Sequence, residues 1–171
     1  MTEFKDILFE KEVNNIEVIP MKVFDLLNMK KYTLAIAESI TGGEVCASIT
    51  KVPGASKVFI GGIIAYNNFV KVSECQVSPK TIQRYSAVSS QVTAEMAKGI
   101  QNKFQTDVAL ALTGFAGPQI EQEKVGLVYL TLRIKTIEYN KNFLFNGDRD
   151  EIIKQASFAA FELTRYYLAN L

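Results

Sequence analysis

The sequence predicts an α/β fold, a single three-layer domain in which helices flank a mixed sheet. Three observations support this prediction. With 171 residues, of which 48% are hydrophobic, the chain has the size of one domain that buries a core without disulfides or a metal. Two short, nearly continuous apolar runs are typical of strands buried on both faces. Helical and strand-like segments follow one another in the order αβαβααβββα, which favours helices packed around a mixed sheet.

Residues 1–19 show no clean period and are followed by Pro20, so we expect residues 1–20 to form an extension with room for a short helix. The domain itself is expected over residues 21–171. Apolar spacing and turn signals predict its first seven elements in order: a helix over 21–31, a strand over 33–37, a helix over 44–51, a strand over 58–66, and helices over 67–75, from 78, and over 91–104. The remaining elements are strands over 108–112, 126–136 and 139–145 and a long amphipathic helix over 148–171.

The chain contains no histidine. This absence excludes a serine-histidine-aspartate triad, a histidine-based zinc site and an imidazole base. The two cysteines, Cys46 and Cys75, lack C-x-x-C spacing and are expected to be reduced thiols, as in a cytoplasmic protein. We therefore expect chemistry that uses neither a metal nor a cofactor.

Charge and hydropathy bear on the partners of the protein. The 19 basic and 18 acidic side chains give a formal net charge of +1, and no lysine- and arginine-rich run occurs, so nucleic-acid binding is not indicated. No apolar run approaches the roughly 20 residues that span a bilayer, and residues 1–6 lack the basic-then-apolar pattern of a signal peptide. We expect a soluble protein without a membrane partner, whose apolar helices are compatible with a homodimer or higher homo-oligomer.

Both buried strands end in a polar segment that contains glycine, and ligands of open α/β sheets bind beyond the carboxyl ends of the strands. The first segment begins at Ser39 and contains Gly42 and Gly43. The N–H groups around the two glycines, at the start of the next helix, are suited to stabilise an oxyanion. The alternative is that Ser39 or Thr41 is a helix N-cap and that the glycines form only a tight turn.

A serine nucleophile needs a base. In a chain without histidine, a lysine whose pKa is lowered by burial can take the proton. Lys71, five residues after Tyr66, is the candidate, with Tyr66 placed to orient the lysine or share the proton. The alternative is that Lys71 is an ordinary solvated lysine. Cys46 is a second candidate nucleophile, although its apolar helical surroundings are more typical of a small core residue.

Six short motifs follow one another along the chain: A-E-S-I-T-G-G (37–43), Y-N-N-F-V-K (66–71), A-V-S (87–89), G-F-A-G-P (114–118), K-V-G (124–126) and G-D-R-D (147–150). In this order they resemble the CinA C-terminal domain family, which includes the nicotinamide mononucleotide deamidases. The similarity extends from about residue 21 to the C-terminus and leaves only the N-terminal extension uncovered.

The resemblance implies a hydrolase that converts nicotinamide mononucleotide and water to nicotinate mononucleotide and ammonia, and it also points to a homodimer. By position, Ser39 matches the family's nucleophile, Lys71 its base and Tyr66 the tyrosine of the same active-site motif. The residues expected to bind the substrate are Thr41, Gly42, Gly43, Asn68, Thr113, Gly114 and Arg149. Arg149 suits a phosphate group, while a salt bridge within G-D-R-D is an equally good interpretation.

Some residues depart from the family pattern. Asn67, Phe69 and Val70 replace family residues between the tyrosine and the lysine, Ile40 stands where a cysteine is frequent, and residues 119–123 replace a glycine-rich stretch. We expect catalysis to survive these changes and substrate affinity to depend on them. The alternatives are an amidase for another small amide or nucleotide, a nucleotide-binding module without turnover, and a structural homologue without activity.

Overall fold

The computed structural model describes residues 18–118 and 124–171, which form five strands and six α-helices. In chain order they are α1 (Ile19–Lys30), β1 (Leu34–Glu38), α2 (Glu44–Thr50), β2 (Phe59–Ile64), α3 (Asn68–Cys75), α4 (Pro79–Tyr85), α5 (Ser90–Phe104), β3 (Val108–Gly114), β4 (Leu127–Ile134), β5 (Ile137–Leu144) and α6 (Arg149–Ala169). Each of the eleven predicted segments occurs in this order, although the string αβαβααβββα counts one helix too few between β2 and β3. A short 3-10 helix, Ala55–Lys57, precedes β2. The prediction of a short helix in the N-terminal extension concerns mainly residues 1–17, which lie outside the described residues.

The strands form one mixed sheet in the order β2-β1-β3-β4-β5. β1 runs parallel to both β2 and β3, whereas β4 is antiparallel to β3 and β5. The predicted mixed sheet is therefore confirmed. In the register of the three parallel strands, Glu38 lies beside Ile64 of β2 and Leu112 of β3. The polar segments that follow these strands consequently meet at one edge of the sheet.

Helices cover both faces of the sheet, as the three-layer prediction requires. Side chains alternate along β1: Leu34 and Ile36 pack in the core formed with α1, α2 and α6, while Ala35 and Ala37 pack against α3 and α5. All five β1 residues are buried. β2 alternates instead between half-buried and exposed residues, because it is an edge strand.

Gly99 allows α5 to approach α3 closely. A Cβ atom at this position would lie 1.7 Å from the carbonyl oxygen of Cys75, the last residue of α3. No side chain fits in that space, so a glycine is required for the two helices to pack at this distance. This packing fixes the helix that carries Lys71.

A capping box defines the start of α6. The Asp148 side chain accepts the N–H of Glu151 (2.9 Å), and the Glu151 side chain accepts the N–H of Asp148 (2.8 Å). Arg149 is therefore the first residue of a fixed helical turn. α6 has 21 residues, yet no helix in the described part of the chain combines the length and the apolar character needed to cross a bilayer.

Candidate active site

Ser39 directly follows β1 at the carboxyl edge of the sheet. Its N–H donates to the carbonyl of Leu112 in β3 (3.1 Å), so the serine backbone continues the pairing of two central strands. Its side chain is half-buried. The N-cap of α2 is Gly43, without a side-chain capping bond, so the alternative in which Ser39 or Thr41 caps the helix is wrong.

Lys71 lies in the first turn of α3, which begins after the N-cap Asn67. The Asn67 side chain accepts the N–H of Phe69 (2.8 Å). The lysine side chain turns inward and is only 2% exposed, which contradicts the alternative of a solvated lysine. Its Nζ lies 3.0 Å from Ser39 Oγ. The fold therefore brings together the two residues that the sequence suggested as nucleophile and base.

The other neighbours of Lys71 Nζ are backbone carbonyl oxygens. That of Ala65 lies 2.6 Å away and that of Tyr66 lies 3.5 Å away. A neutral amine has two N–H bonds and one lone pair. When the carbonyls accept the two N–H bonds, the lone pair is left for the hydroxyl proton of Ser39. The geometry thus suits a neutral amine that accepts a proton from the serine.

Burial lowers the pKa of Lys71 below its ordinary value of 10.5, because desolvation penalises the charged ammonium. The nearby Cys75 thiol acts weakly in the opposite direction. Among the described residues, no carboxylate forms an ion pair with Lys71 to favour its charged form. The fraction of neutral amine near pH 7 is therefore larger than for an exposed lysine.

Glu38, the last residue of β1, is fully buried, and we did not predict a role for it. One carboxylate oxygen accepts the Thr41 hydroxyl (2.5 Å) and the N–H of Val45 (3.2 Å), and the other accepts the N–H of Cys46 (3.0 Å). The carboxylate thus ties the segment after Ser39 to the first turn of α2. A glutamate at the end of an otherwise apolar strand was the signal in the sequence, since a buried charge needs such partners.

The turn residues Thr41, Gly42 and Gly43 have structural contacts. The Thr41 hydroxyl donates to the Glu38 carboxylate, and the Gly42 N–H donates to the carbonyl of Ser39 (3.2 Å). The φ angles of Gly42 (61°) and Gly43 (112°) lie in the region that favours glycine. None of the three lines the cavity next to Ser39. Of the N–H groups around Gly42 and Gly43 that were expected to stabilise an oxyanion, that of Gly42 is bonded to Ser39 in this structure, and the role of Gly43 stays a prediction.

A cavity of about 230 Å³ opens beside Ser39 and Lys71. It is lined by Ser39, Ile40, Tyr66, Asn68, Lys71, Ala87, Val88, Gly114, Phe115, Ala116, Gly117, Pro118 and Arg149. These residues come from the ends of β1, β2 and β3, from the start of α3, from the loop before α5 and from the start of α6. Five of the six sequence motifs contribute to the cavity, all except K-V-G (124–126), and the predicted Asn68, Gly114 and Arg149 are among the lining residues.

Thr113 is fully buried beneath this cavity, so the structure does not place its hydroxyl at the substrate side. The hydroxyl lies 2.7 Å from that of Thr93, which in turn donates to the Ser89 carbonyl (2.7 Å). Since Thr93 has only one hydroxyl proton, Thr113 is the donor of the bond between them. The pair joins β3 to the first turn of α5 and so supports the loop that carries Ala87 and Val88.

Arg149 crosses the opening of the cavity. Its Nη1 donates to the carbonyl of Gly117 (2.6 Å), and its Nη2 donates to the hydroxyl of Tyr66 (3.1 Å). In the described part of the chain it forms no salt bridge, so the interpretation as an ion pair within G-D-R-D does not hold. The guanidinium instead connects two walls of the cavity.

The described residues that line the cavity carry positive charge or no charge. Among the described residues that line it, the ionisable groups are Lys71, Arg149 and Tyr66, and none is a carboxylate. The described residues also contain no cluster of three or more histidine, cysteine, aspartate or glutamate side chains that would hold a metal ion. The arrangement suits an uncharged reacting group near Ser39 and an anionic group near Arg149.

Fold and site together define the class, an α/β domain with a serine and a buried lysine at the carboxyl edge of its sheet. The model of the CinA C-terminal domain matches residues 16–168, and the chain belongs to this family. It is 42% identical over 151 residues to a "CinA-like protein" of Dictyoglomus thermophilum, covering 87% of this chain and 37% of that protein. With a "Putative competence-damage inducible protein" of Acetivibrio thermocellus it shares 37% identity over 172 residues, 99% of this chain and 41% of that protein. The chain thus spans about two fifths of the length of these relatives.

Solved structures of the same superfamily have the same fold. A CinA superfamily protein of Klebsiella pneumoniae superposes with a TM-score of 0.89 at 26% identity, covering 92% of this chain and 99% of that one. The corresponding protein of Escherichia coli gives a TM-score of 0.87 at 28% identity, with 91% and 92% covered. The α/β fold of this chain is therefore that of the superfamily.

Proposed function

We propose that this chain is an amidohydrolase that converts the carboxamide of nicotinamide mononucleotide to the carboxylate of nicotinate mononucleotide and ammonia. The observation that carries the proposal is the 3.0 Å contact between Ser39 Oγ and Lys71 Nζ. A serine hydroxyl bonded to a neutral amine is suited to acyl transfer. The sequence resemblance to the deamidases supplies the substrate.

In the first step, Ser39 Oγ forms a bond to the carboxamide carbon as its proton passes to Lys71 Nζ. The carbonyl oxygen becomes an oxyanion in the tetrahedral intermediate. Lys71, now an ammonium, returns a proton to the amide nitrogen. The C–N bond breaks, ammonia leaves, and an ester links Ser39 to the pyridine carbonyl.

In the second step, the ester is hydrolysed at the same site. Lys71 takes a proton from water, whose oxygen bonds to the ester carbon. The second tetrahedral intermediate collapses, and the proton on Lys71 returns to Ser39 Oγ as the C–O bond breaks. Nicotinate mononucleotide is released and the enzyme regains its starting state. The lysine thus accepts and returns one proton in each step.

The N–H of Ile40 is the donor that we assign to the oxyanion. Ile40 follows the nucleophile and lines the cavity, and its N–H has no acceptor among the described residues. Gly42 is unsuitable because its N–H already donates to Ser39. A backbone donor at this position is fixed by the same strand and turn that hold the serine.

The two ends of the cavity would take the two ends of the substrate. The carboxamide lies at Ser39, where Phe115, Ala87 and Val88 offer apolar surface to a pyridine ring. The phosphate lies at Arg149, whose planar guanidinium suits a phosphate group. This orientation places the negative charge away from the buried amine.

Ammonia release tests the proposal, with nicotinamide mononucleotide and a panel of other pyridine amides and nucleotides as substrates. We expect the parent to release ammonia and to form nicotinate mononucleotide in equal amounts. Ser39→Ala should lose about 10³-fold or more in kcat, as typical for removal of a nucleophile. Ser56→Ala, in an exposed serine away from the cavity, is the matched control.

Two alternatives are outcomes of this panel. Ammonia release from another amide only would keep the chemistry and change the substrate, and the altered stretch 119–123 is the feature that favours this alternative. Nucleotide binding without turnover of any amide would indicate a binding module. The chain spans only 37–41% of two longer relatives, so a role of the domain beside another domain is compatible with that second outcome.

A further inference from the structure

The hydroxyl of Tyr66 faces Arg149, not the serine and lysine. Arg149 Nη2 donates to Tyr66 Oη over 3.1 Å, and within the described ranges this is the hydroxyl's one hydrogen bond. The contact between Tyr66 and Lys71 is made by the tyrosine backbone carbonyl, 3.5 Å from Nζ. The tyrosine side chain is also exposed (62%), whereas Lys71 is 2% exposed.

The backbone and side chain of Tyr66 therefore contact different parts of the site. The backbone carbonyls of Ala65 and Tyr66 orient the amine of Lys71. The tyrosine hydroxyl, at the far end of the ring, contacts Arg149, the first residue of α6. In the described structure the tyrosine hydroxyl bonds to Arg149 and not to Lys71 Nζ or Ser39 Oγ, so it lacks the contact that direct proton transfer uses.

Tyr66 and Arg149 both have N–H or O–H donors without an acceptor among the described residues. The Tyr66 hydroxyl accepts from Arg149, so its own O–H remains available as a donor. A guanidinium has five N–H donors, and the contacts to Gly117 and Tyr66 occupy only one on each terminal nitrogen. These donors belong to two side chains that already contact each other, beside a cavity that no carboxylate of the described residues lines.

The acidic residues next to Arg149 do not occupy these donors. Asp148 and Glu151 are engaged with backbone N–H groups in the capping box. Asp150 is exposed and does not line the cavity. Arg149 thus keeps its positive charge without an ion-pair partner among the described residues.

We propose that Tyr66 and Arg149 form a paired binding site for the phosphate monoester of the substrate, in which the tyrosine hydroxyl donates to phosphate and holds the guanidinium in place. Tyr66 is then a binding and positioning residue and carries no proton for the serine and lysine. This inference rests on the proposed function, because it takes the substrate to be a nucleotide.

The test compares Tyr66→Phe with the parent on two substrates, nicotinamide mononucleotide and the corresponding riboside, which lacks the phosphate. We expect the preference for the nucleotide, as the ratio of the two kcat/KM values, to fall about ten-fold, mainly through KM, because a hydrogen bond to a charged group is lost. The pH at which kcat is half-maximal should stay that of the parent. Tyr32→Phe, on a half-buried tyrosine whose ring contacts Lys135, is the control.

A double variant sharpens the comparison. In an Arg149→Ala background, adding Tyr66→Phe should change the nucleotide preference far less than in the parent, because the two side chains act together. An equal loss of kcat on both substrates, with a shifted pH profile, would overturn the inference and assign a proton to Tyr66.

Binding measurements separate this inference from the proposed function. If the parent releases ammonia from neither substrate, the proposed function is wrong. Calorimetry with nicotinate mononucleotide and its riboside then still tests the site. We expect the parent to bind the nucleotide more tightly, and both Tyr66→Phe and Arg149→Ala to reduce that difference. Equal affinity of the parent for both ligands would contradict a phosphate site here.

Discussion

Lys71 Nζ lies 3.0 Å from Ser39 Oγ, although the two residues are 32 positions apart in the chain. Two neighbouring parallel strands create this contact. Ser39 follows β1, Lys71 lies in the helix after β2, and the two strands end at the same edge of the sheet. Because the amine is buried among carbonyl groups, we expect its protonation to affect the stability of the domain and, under the proposed function, the rate of turnover.

The rate of ammonia release should rise with pH through the pKa of Lys71. The lysine acts as a base only when neutral, and burial lowers its pKa below 10.5. The acid limb of the kcat/KM profile should therefore have its midpoint below 10.5. Rates measured between about pH 5 and pH 11 check this. A midpoint at or above 10.5 would mean that the buried amine is not the base.

The stability of the parent relative to Lys71→Met should rise with pH. The folded state holds a lysine of lowered pKa, so between that pKa and 10.5 the unfolded chain binds more protons than the folded one. The free energy of unfolding then increases with pH in this window. Below the folded pKa the buried lysine is charged, and the full cost of burying that charge lowers the stability. Methionine removes the titrating group at similar volume.

Urea unfolding of both proteins from pH 6 to pH 10 measures the difference. Lys98→Met, which removes an exposed lysine of α5, is the control for loss of one positive charge. The difference in free energy of unfolding between the parent and Lys71→Met should depend on pH more steeply than the difference between the parent and Lys98→Met. Equal slopes would contradict the prediction.

Glu38→Gln should destabilise the domain by about 1–3 kcal/mol and lower kcat. The carboxylate accepts three hydrogen bonds in a fully buried position, and an amide nitrogen in place of one oxygen leaves at least one donor without an acceptor. The turn after Ser39 would then lose its anchor. Glu44→Gln, an exposed residue in the same first turn of α2, should change stability by less than about 0.5 kcal/mol. Equal effects of the two substitutions would show that Glu38 has no such role.

Neither cysteine should react with iodoacetamide at pH 8 in the native protein. Burial and the neighbouring Glu38 carboxylate raise the pKa of the Cys46 thiol, and burial raises the pKa of Cys75 to about 11. Thiols rather than thiolates are therefore present, and thiols react slowly. Mass spectrometry should find both sites alkylated only after unfolding. Rapid native alkylation of Cys46 with loss of activity would instead favour a cysteine nucleophile.

The element order and the strand ends could be predicted from sequence because they depend on local patterns. The apolar runs at 33–37 and 108–112 place polar segments after two buried strands, and the structure confirms β1 and β3 there. The suggested pairing of Ser39 with Lys71 followed from the need for a base in a chain without histidine. Both inferences depend on the types and spacing of residues within short segments of the sequence.

Contacts between distant segments could not be predicted in this way. Arg149 donates to the hydroxyl of Tyr66 although the two residues are 83 positions apart in the chain. This contact depends on how α6 packs against the sheet. Thr113 was expected at the substrate, but strand alternation turns its hydroxyl toward Thr93 on α5. The N–H groups around Gly42 and Gly43 were expected to bind an oxyanion, but the tight turn directs that of Gly42 to Ser39. In each case the direction of a single group depends on tertiary structure.

Ammonia release from nicotinamide mononucleotide by the parent, Ser39→Ala and Lys71→Met, measured side by side at one pH, tests the roles of the serine and the lysine most directly. Circular dichroism first checks that all three proteins are folded. We expect turnover by the parent and a loss of about 10³-fold or more in both variants, with Lys98→Met close to the parent. Turnover by a folded Lys71→Met protein near the parent's rate would contradict the assignment of this buried lysine as the base.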